Sequence, residues 1–292
     1  MIYSKGEIIM NFHRAPHVFV GKVNLKVENL ERSLAFYQQI IGFKLLGRKE
    51  NKALLTADGR TALLSIEQPE NVTAKQPRTT GLYHFALLLP TRSDLGSILQ
   101  HLLNSGYPLQ GASDHLVSEA LYLADPDGNG IEIYRDRPSS TWEWNDSEVV
   151  MATKPLDAKA ILAEGNGKPW TGLPSATLMG HIHLHVSELG QTENFYRNGL
   201  GFEVVSNYHN QALFISTGRY HHHIGLNVWN GIGAPSPLES SVGLESFTLV
   251  FPVEEAREQA INQLREIGAA VSKENQDFIT KDPSGNIIRL VL

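Results

Sequence analysis

The chain has 292 residues, of which 41% are hydrophobic and 19% are charged, and its formal net charge is −6. This composition is typical of a globular protein with one large domain or two of modest size. No stripe of Lys and Arg could neutralise phosphates, which argues against a nucleic-acid-binding protein. Neither a long apolar run nor a secretory signal is visible, so the sequence predicts a cytoplasmic protein with no membrane segment.

Cysteine is absent from the sequence, whereas histidine occurs twelve times. The absence of cysteine excludes disulfides, thiolate metal sites and cysteine nucleophiles. Any metal must therefore be held by His, Asp or Glu side chains.

The first part of the chain predicts one strand, one helix and three strands in succession. After a leader, 1–17, that we expect to be loose, residues 20–27 alternate like a half-buried strand. Asn29 is the expected N-cap of an amphipathic helix that ends at Gly42. The three strands that follow are predicted at 43–48, 53–56 and 61–66.

The same unit recurs along the chain. A strand at 82–89, a helix around 95–103 and strands that end at Tyr134 form a second copy. In a third copy, Phe195 and Tyr196 lie 159 residues after Phe36 and Tyr37. The turn Asp-Pro-Asp-Gly-Asn of the second copy returns as Asp-Pro-Ser-Gly-Asn in a fourth copy.

These repeats divide the chain into four modules. A linker rich in Pro, Gly and Trp, with one helical candidate at 156–163, is too long for an ordinary loop and should cross between two halves of the molecule. The predicted segments are the leader 1–17, module 1 at 18–70, module 2 at 80–138, the crossing linker 139–178, module 3 at 179–230 and module 4 at 241–292.

Polar residues interrupt the apolar strands of the middle two modules. His84 lies in the first strand of module 2 and Glu132 in its last strand, and a buried carboxylate without a partner is strongly destabilising. Module 3 offers His181 at the first-strand position, although His183 and His185 share its strand face and are alternatives. Two histidines and one carboxylate match a facial metal triad with open coordination positions.

Further polar side chains could assist chemistry at such a centre. Strand alternation over 220–229 would place His221 and His223 on one face and His222 on the other. A neutral imidazole beside a metal can act as acid and base. Tyr122, upstream of Glu132, could donate its hydroxyl to a substrate oxygen.

Several motifs carry a resemblance to the vicinal oxygen chelate, or glyoxalase-like, superfamily. They are Asn-Leu-Glu-Arg-Ser-Leu-Ala-Phe-Tyr at 29–37 with Gly-Phe at 42–43, and the turn and strand at 125–134. The segment 114–122 and the Tyr-His-His-His at 220–223 resemble more narrowly the extradiol ring-cleaving dioxygenases of the bacterial catechol 2,3-dioxygenase type. The resemblance implies an α+β fold in which four βαβββ modules form two cupped mixed β-sheet barrels.

The resemblance also implies an activity and a site. Family members hold Fe(II), occasionally Mn(II), and cleave a catecholic ring with O2 beside its hydroxyls. The metal ligands carry over to His84, Glu132 and His181. The assisting residues carry over to His223, with its neighbour His222 as the alternative, to Tyr122 and, more loosely, to His115. The expected partners are a small catechol and O2, without nucleic acid or membrane, and a homo-oligomer is possible.

One departure from the family pattern constrains the architecture. The best-known extradiol enzymes take their ligands from modules 3 and 4, but here the outer modules offer Lys22, Ser246 and Arg289 at the equivalent positions. The triad can close only if module 2 pairs with module 3 and module 1 with module 4. Another metal-dependent isomerase or lyase of this fold, and a non-catalytic ligand-binding protein, are the alternative functions.

Overall fold

Two mixed β-sheets form the framework of the computed structural model, which describes residues 3–4, 7–8 and 11–292. The strands are β1 (Tyr3–Ser4), β2 (Glu7–Ile8), β3 (Phe19–Lys26), β4 (Lys44–Lys49), β5 (Lys52–Thr56), β6 (Ala62–Glu67), β7 (Gly81–Leu88), β8 (Gly111–Asp114), β9 (Ser118–Ala124), β10 (Gly130–Asp136), β11 (Trp144–Asn145), β12 (Glu148–Val149), β13 (Lys154–Pro155), β14 (Leu178–His185), β15 (Glu203–Tyr208), β16 (Ala212–Ser216), β17 (Ile224–Asn227), β18 (Gly243–Val250), β19 (Val271–Glu274), β20 (Asp277–Lys281) and β21 (Ile287–Val291).

Five α-helices are described, together with three short helical turns. The α-helices are α1 (Leu30–Phe36), α2 (Arg92–Ser105), α3 (Ala158–Gly165), α4 (Leu189–Asn194) and α5 (Glu254–Glu266). Tyr37–Ile41 and Phe195–Gly199 form π-helical turns, and Ser139–Thr141 forms a 3-10 turn. The predicted fold class, α+β with cupped mixed sheets, is confirmed.

The two sheets draw their strands from different parts of the chain. One has the order β13-β8-β9-β10-β7-β14-β17-β16-β15, and the other β19-β20-β21-β18-β3-β6-β5-β4. The antiparallel pair β7 and β14 joins modules 2 and 3, and the antiparallel pair β18 and β3 joins modules 4 and 1. This is the arrangement that a triad from the middle modules requires.

Alternation along β7 separates an apolar face from a polar one. Phe85 and Leu87 are fully buried in a hydrophobic core that they share with Leu95 and Ile98 of α2. Because neighbouring side chains of a strand point to opposite faces, His84 projects from the face that α2 does not cover. The helices therefore fix one face of the sheet and leave the other for the site.

The helix boundaries follow local capping chemistry. The side chain of Asn29 accepts a hydrogen bond from the backbone N–H of Arg32 at 2.9 Å, which begins α1. Gly42, with a φ of 96°, ends the following π-helical turn in the left-handed conformation that glycine tolerates best. Asn29 and Gly42 are thus the two ends that the sequence predicts.

The crossing linker and residues 11–17 cover one side of the nine-stranded sheet. Phe12 stacks on Trp142 with ring centroids 5.6 Å apart and contacts Tyr220 at 5.0 Å. The predicted loose leader is therefore wrong at Phe12 and His13, which are buried. The other part of that prediction, at 1–2, 5–6 and 9–10, lies outside the described residues.

Within the described part of the chain, no helix is long and apolar enough to cross a membrane.

Gly180, beside His181, allows a close approach of Tyr134. A Cβ added at Gly180 would lie 1.9 Å from the Tyr134 hydroxyl oxygen, so the tyrosine would have to move. We expect Gly180→Ala to lower the free energy of unfolding by about 1–3 kcal/mol, as overpacking does elsewhere. Denaturant titration checks this. Gly47→Ala is the control, since its Cβ would meet nothing within 4 Å, and an equal loss there would contradict the steric explanation.

Candidate metal centre

Three buried side chains converge on three adjacent strands of the nine-stranded sheet. They are His84 on β7, Glu132 on β10 and His181 on β14, and each offers a ligand atom within 4.8 Å of the others. The Nε2 atoms of His84 and His181 lie 3.0 Å and 3.1 Å from the same Oε2 of Glu132. The structure thus brings together the triad residues that the sequence predicts.

The charge states of this group suit metal coordination. Burial alone would raise the pKa of Glu132, but His181 and His84 hold it well below its usual range. Burial lowers the pKa of His181 to about 4, although the adjacent Glu132 opposes this shift. At neutral pH the centre therefore presents a carboxylate and a neutral imidazole, the forms that bind metals.

The environment of Nε2 of His84 also favours metal coordination. Within the described residues, the buried Nε2 of His84 makes no hydrogen bond despite its short distance to Glu132. A polar atom left unpaired in a protein interior is destabilising unless another partner satisfies it. A divalent cation bound by two imidazoles and one carboxylate would satisfy it, so the donor set fits a metal.

The two alternative strand histidines lie close by but do not join this group. His183 pairs with His84 across the strands, with ring centroids 5.1 Å apart, and its buried Nε2 has no partner among the described residues. His185 lies farther along β14, where its Nδ1 is 2.7 Å from Oδ1 of Asn227. His181 is therefore the ligand candidate that the geometry favours.

Of the three consecutive histidines, His222 lies nearest to the triad. Its ring centroid is 4.1 Å from that of His181. His223 is directed elsewhere, with Nε2 3.1 Å from the carbonyl oxygen of Phe12 and Nδ1 accepting from the backbone N–H of Thr217 at 3.3 Å. The structure does not bring His223, the preferred assignment from the sequence, to the centre.

The predicted alternation fails here for a local reason. Residues 221–223 form a bend, and β17 begins only at Ile224. A side chain in a bend does not follow the two-residue period of a strand. His222 can therefore approach the triad while the flanking histidines make other contacts.

Tyr122 and His115 form a hydrogen-bonded pair beside the triad. The ring of Tyr122 is 5.7 Å from that of His84, and its hydroxyl is 2.6 Å from Nε2 of His115. Nδ1 of His115 donates to the carbonyl oxygen of Ala152 in the crossing linker at 2.8 Å. Burial and the nearby Glu132 raise the pKa of Tyr122, which keeps its hydroxyl protonated.

The eight-stranded sheet carries different polar residues at the positions equivalent to those of the triad. Ser246 accepts from Asn24 at 2.9 Å, and Arg289 pairs with Glu274 at 2.8 Å. Over residues 11–292 and the two short described strands, the group of His84, Glu132 and His181 is the only one whose geometry suits a metal. The centre thus belongs to the nine-stranded sheet.

Asp136 was not among the predicted site residues. It lies 2.8 Å from Nε2 of His221, and His221 in turn is 2.8 Å from His222. A signal existed in the sequence, because Glu132, Tyr134 and Asp136 are spaced by two on β10 and share one strand face.

Comparisons with known proteins agree with this geometry. A family model described as Glyoxalase/Bleomycin resistance protein/Dioxygenase superfamily matches residues 17–133 and 178–290. The chain is 44% identical to a catechol-2,3-dioxygenase of Bacillus subtilis over 97% of this chain and 99% of that protein. It is 27% identical to a biphenyl-2,3-diol 1,2-dioxygenase of Rhodococcus globerulus over 42% of this chain and 65% of that protein.

A solved structure shares the fold at low sequence identity. Glyoxalase I from Zea mays has a TM-score of 0.59 at 15% identity, covering 94% of this chain and 92% of that chain. Since the family model spans both halves of the chain, the protein belongs to the Glyoxalase/Bleomycin resistance protein/Dioxygenase superfamily.

Proposed function

We propose that the protein is an extradiol dioxygenase of the catechol 2,3 type, which cleaves a catecholic ring with O2 beside the two hydroxyls. The observation that carries this proposal is the convergence of His84, Glu132 and His181, within a chain 44% identical to a catechol-2,3-dioxygenase. Two imidazoles and one carboxylate leave coordination positions open for two reactants.

The metal is proposed to be Fe(II), with Mn(II) as the alternative. When bound, such an ion would hold the catecholate and O2 side by side and pass electron density from the ring to oxygen. The role of the triad is to fix the ion with a single negative charge, that of Glu132. The buried position of the three ligands keeps competing water away from them.

Two groups beside the triad would manage protons and orientation. His222, whose pKa burial holds well below its usual range, is neutral at pH 7 and so has a ring nitrogen that can accept from a catechol hydroxyl. Tyr122, whose hydroxyl is held by His115 beside the triad, would hold an oxygen of the substrate or of an intermediate. We therefore assign to His222 the proton-transfer role for which the family resemblance favours His223.

Three aromatic residues near the triad would contribute by excluding water from the site. Phe12, Trp142 and Tyr220 are buried and pack together beside His221, with Trp142 5.2 Å from its ring. Exclusion of water strengthens the electrostatic contacts that a reacting ring would make.

The cytoplasmic location of the protein and its assembly into a homo-oligomer stay predictions.

Metal analysis combined with a catechol assay tests the proposal. Protein prepared without oxygen should contain iron, consume one O2 per catechol and form a yellow ring-opened product. Removal of the ion by a chelator should abolish this activity, and Fe(II) should restore it. Turnover of an α-ketoaldehyde adduct without O2 uptake would instead indicate an isomerase, and tight ligand binding without bound metal would indicate a binding protein.

A further inference from the structure

A buried histidine beside the triad has a ring nitrogen without a partner in the described part of the chain. His183 follows His181 by two residues on β14, so the two side chains share the face of the sheet that carries the triad. The ring of His183 lies 5.1 Å from that of His84, and its Nε2 is buried with no hydrogen bond to any described residue. A buried polar atom in this state is destabilising unless another molecule supplies the partner.

The strands next to β14 fix the position of the His183 ring. Gly225 is the partner of His183 on β17, and a Cβ added there would lie 2.8 Å from two ring carbons of the histidine. The imidazole therefore lies directly over the glycine backbone, in space that any other residue would fill. Phe214 is the partner of Gly225 on β16, and its ring is 5.6 Å from that of His183. The imidazole thus has a defined place in a row of residues that crosses three strands.

Aromatic rings surround His183 on the side away from His84. The ring of Tyr83 is 5.1 Å and that of Trp229 is 5.3 Å from the imidazole, and the two rings are 5.2 Å apart. Tyr83 is 40% exposed and Trp229 is 45% exposed, so the surroundings of His183 extend from the triad to the surface. These aromatic side chains carry no charge, and an uncharged group is therefore buried among them at less cost than a charged one.

We propose that Nε2 of His183 hydrogen-bonds a hydroxyl group on a substituent of the catechol ring, so that the preferred substrates are hydroxyalkyl-substituted catechols. This inference rests on the proposed function for the catechol itself and goes beyond it in naming the substituent. A ring bound at the triad would have one edge near His183, because His84 and His183 are neighbours across β7 and β14. A hydroxyl suits this nitrogen because it can donate or accept, whichever nitrogen of the imidazole carries the proton.

Such a nitrogen discriminates between substituents of equal size. A hydroxymethyl group on the ring would give Nε2 of His183 a partner. An ethyl group has the same number of non-hydrogen atoms, but it would leave this nitrogen unpaired and keep water away from it. Because one hydrogen bond is involved, the expected difference in affinity is about three- to tenfold.

Calorimetric titration tests this preference without turnover. The full chain would be loaded with Zn²⁺, which has no redox chemistry, and titrated with 3- and 4-hydroxymethylcatechol and with 3- and 4-ethylcatechol. We expect at least one hydroxymethyl isomer to bind about three- to tenfold more tightly than the ethyl isomer with the same attachment point. Equal or weaker binding of both hydroxymethyl isomers would overturn the proposal.

His183→Leu tests whether this histidine causes the preference. The substitution removes the ring nitrogens but keeps a side chain of similar size, so the ratio of the two affinities should fall to one or below, with the zinc content of the wild type. His185→Leu is the matched control, because the same substitution is made two residues along β14 and His185 already has a partner in Asn227. It should keep the wild-type ratio. An unchanged ratio in His183→Leu, or loss of zinc from it, would contradict the assigned role.

The outcomes separate this inference from the proposed function. If His183→Leu does not fold, Gly225→Ala takes its place, because the added Cβ would displace the imidazole and the ratio should fall toward one. An unchanged ratio in that variant would also exclude the role of His183. If the preference is present with Zn²⁺ but the Fe(II) protein cleaves none of the four catechols, only the proposed function fails. If the catechols are cleaved and the preference is absent, only the role of His183 fails.

Discussion

Glu132→Ala should abolish metal binding and ring cleavage together. Glu132 supplies the single carboxylate of the triad, and the Nε2 atoms of His84 and His181 both lie close to its Oε2. Without it, two neutral imidazoles would have to hold a divalent cation in a buried site with no compensating charge, which is strongly unfavourable. Metal analysis and oxygen uptake, measured on the same preparation, check the expected result.

A carboxylate of the eight-stranded sheet provides the control for this substitution. Glu67 ends β6 of the eight-stranded sheet and pairs with Lys52 at 2.9 Å, outside the sheet that holds the triad. Glu67→Ala should keep the wild-type metal content and rate. A Glu132→Ala protein that lacks iron but retains full activity would show that the chemistry takes place elsewhere.

His222→Gln should retain the metal but lower kcat by about a hundredfold, the usual contribution of a general acid and base. Glutamine keeps a polar side chain of similar length but cannot accept a proton at neutral pH. The comparison is with His223→Gln, which loses contacts to Phe12 and Thr217 and should mainly lower stability. Stopped-flow turnover at saturating catechol, with iron measured in each protein, distinguishes the two.

The reverse result would assign the proton-transfer role to His223, as the sequence predicts. If His223→Gln slows turnover while His222→Gln does not, His222 takes no part in catalysis despite its contact with His181. Thermal unfolding of both proteins separates a loss of turnover from a loss of folded protein.

Local chemistry made much of the fold predictable. The cap at Asn29 and the stop at Gly42 depend on neighbouring residues alone, so the sequence contains them. The repeat of whole modules then placed His84 and His181 at equivalent first-strand positions and Glu132 in a last strand. Their residue types required one particular pairing of modules, and the sheets have the strand order that this pairing needs.

Contacts between distant segments were not predictable in the same way. The orientations of His222 and His223 depend on a bend before Ile224, which strand alternation does not describe. The burial of Phe12 depends on Trp142, which lies far along the chain. The contact between Asp136 and His221 depends on β10 lying beside the bend at 221–223, which the sequence does not show.

The strand order also bears on how the protein forms during its synthesis. The nine-stranded sheet uses a continuous stretch of chain from β7 to β17, whereas the eight-stranded sheet joins β3 to β18 from near the opposite end. Because chains emerge from the ribosome in order and domains fold as units, the half that carries the triad can assemble before module 4 exists. Module 1, although made first, must wait for the last segment to leave the ribosome before its sheet is complete.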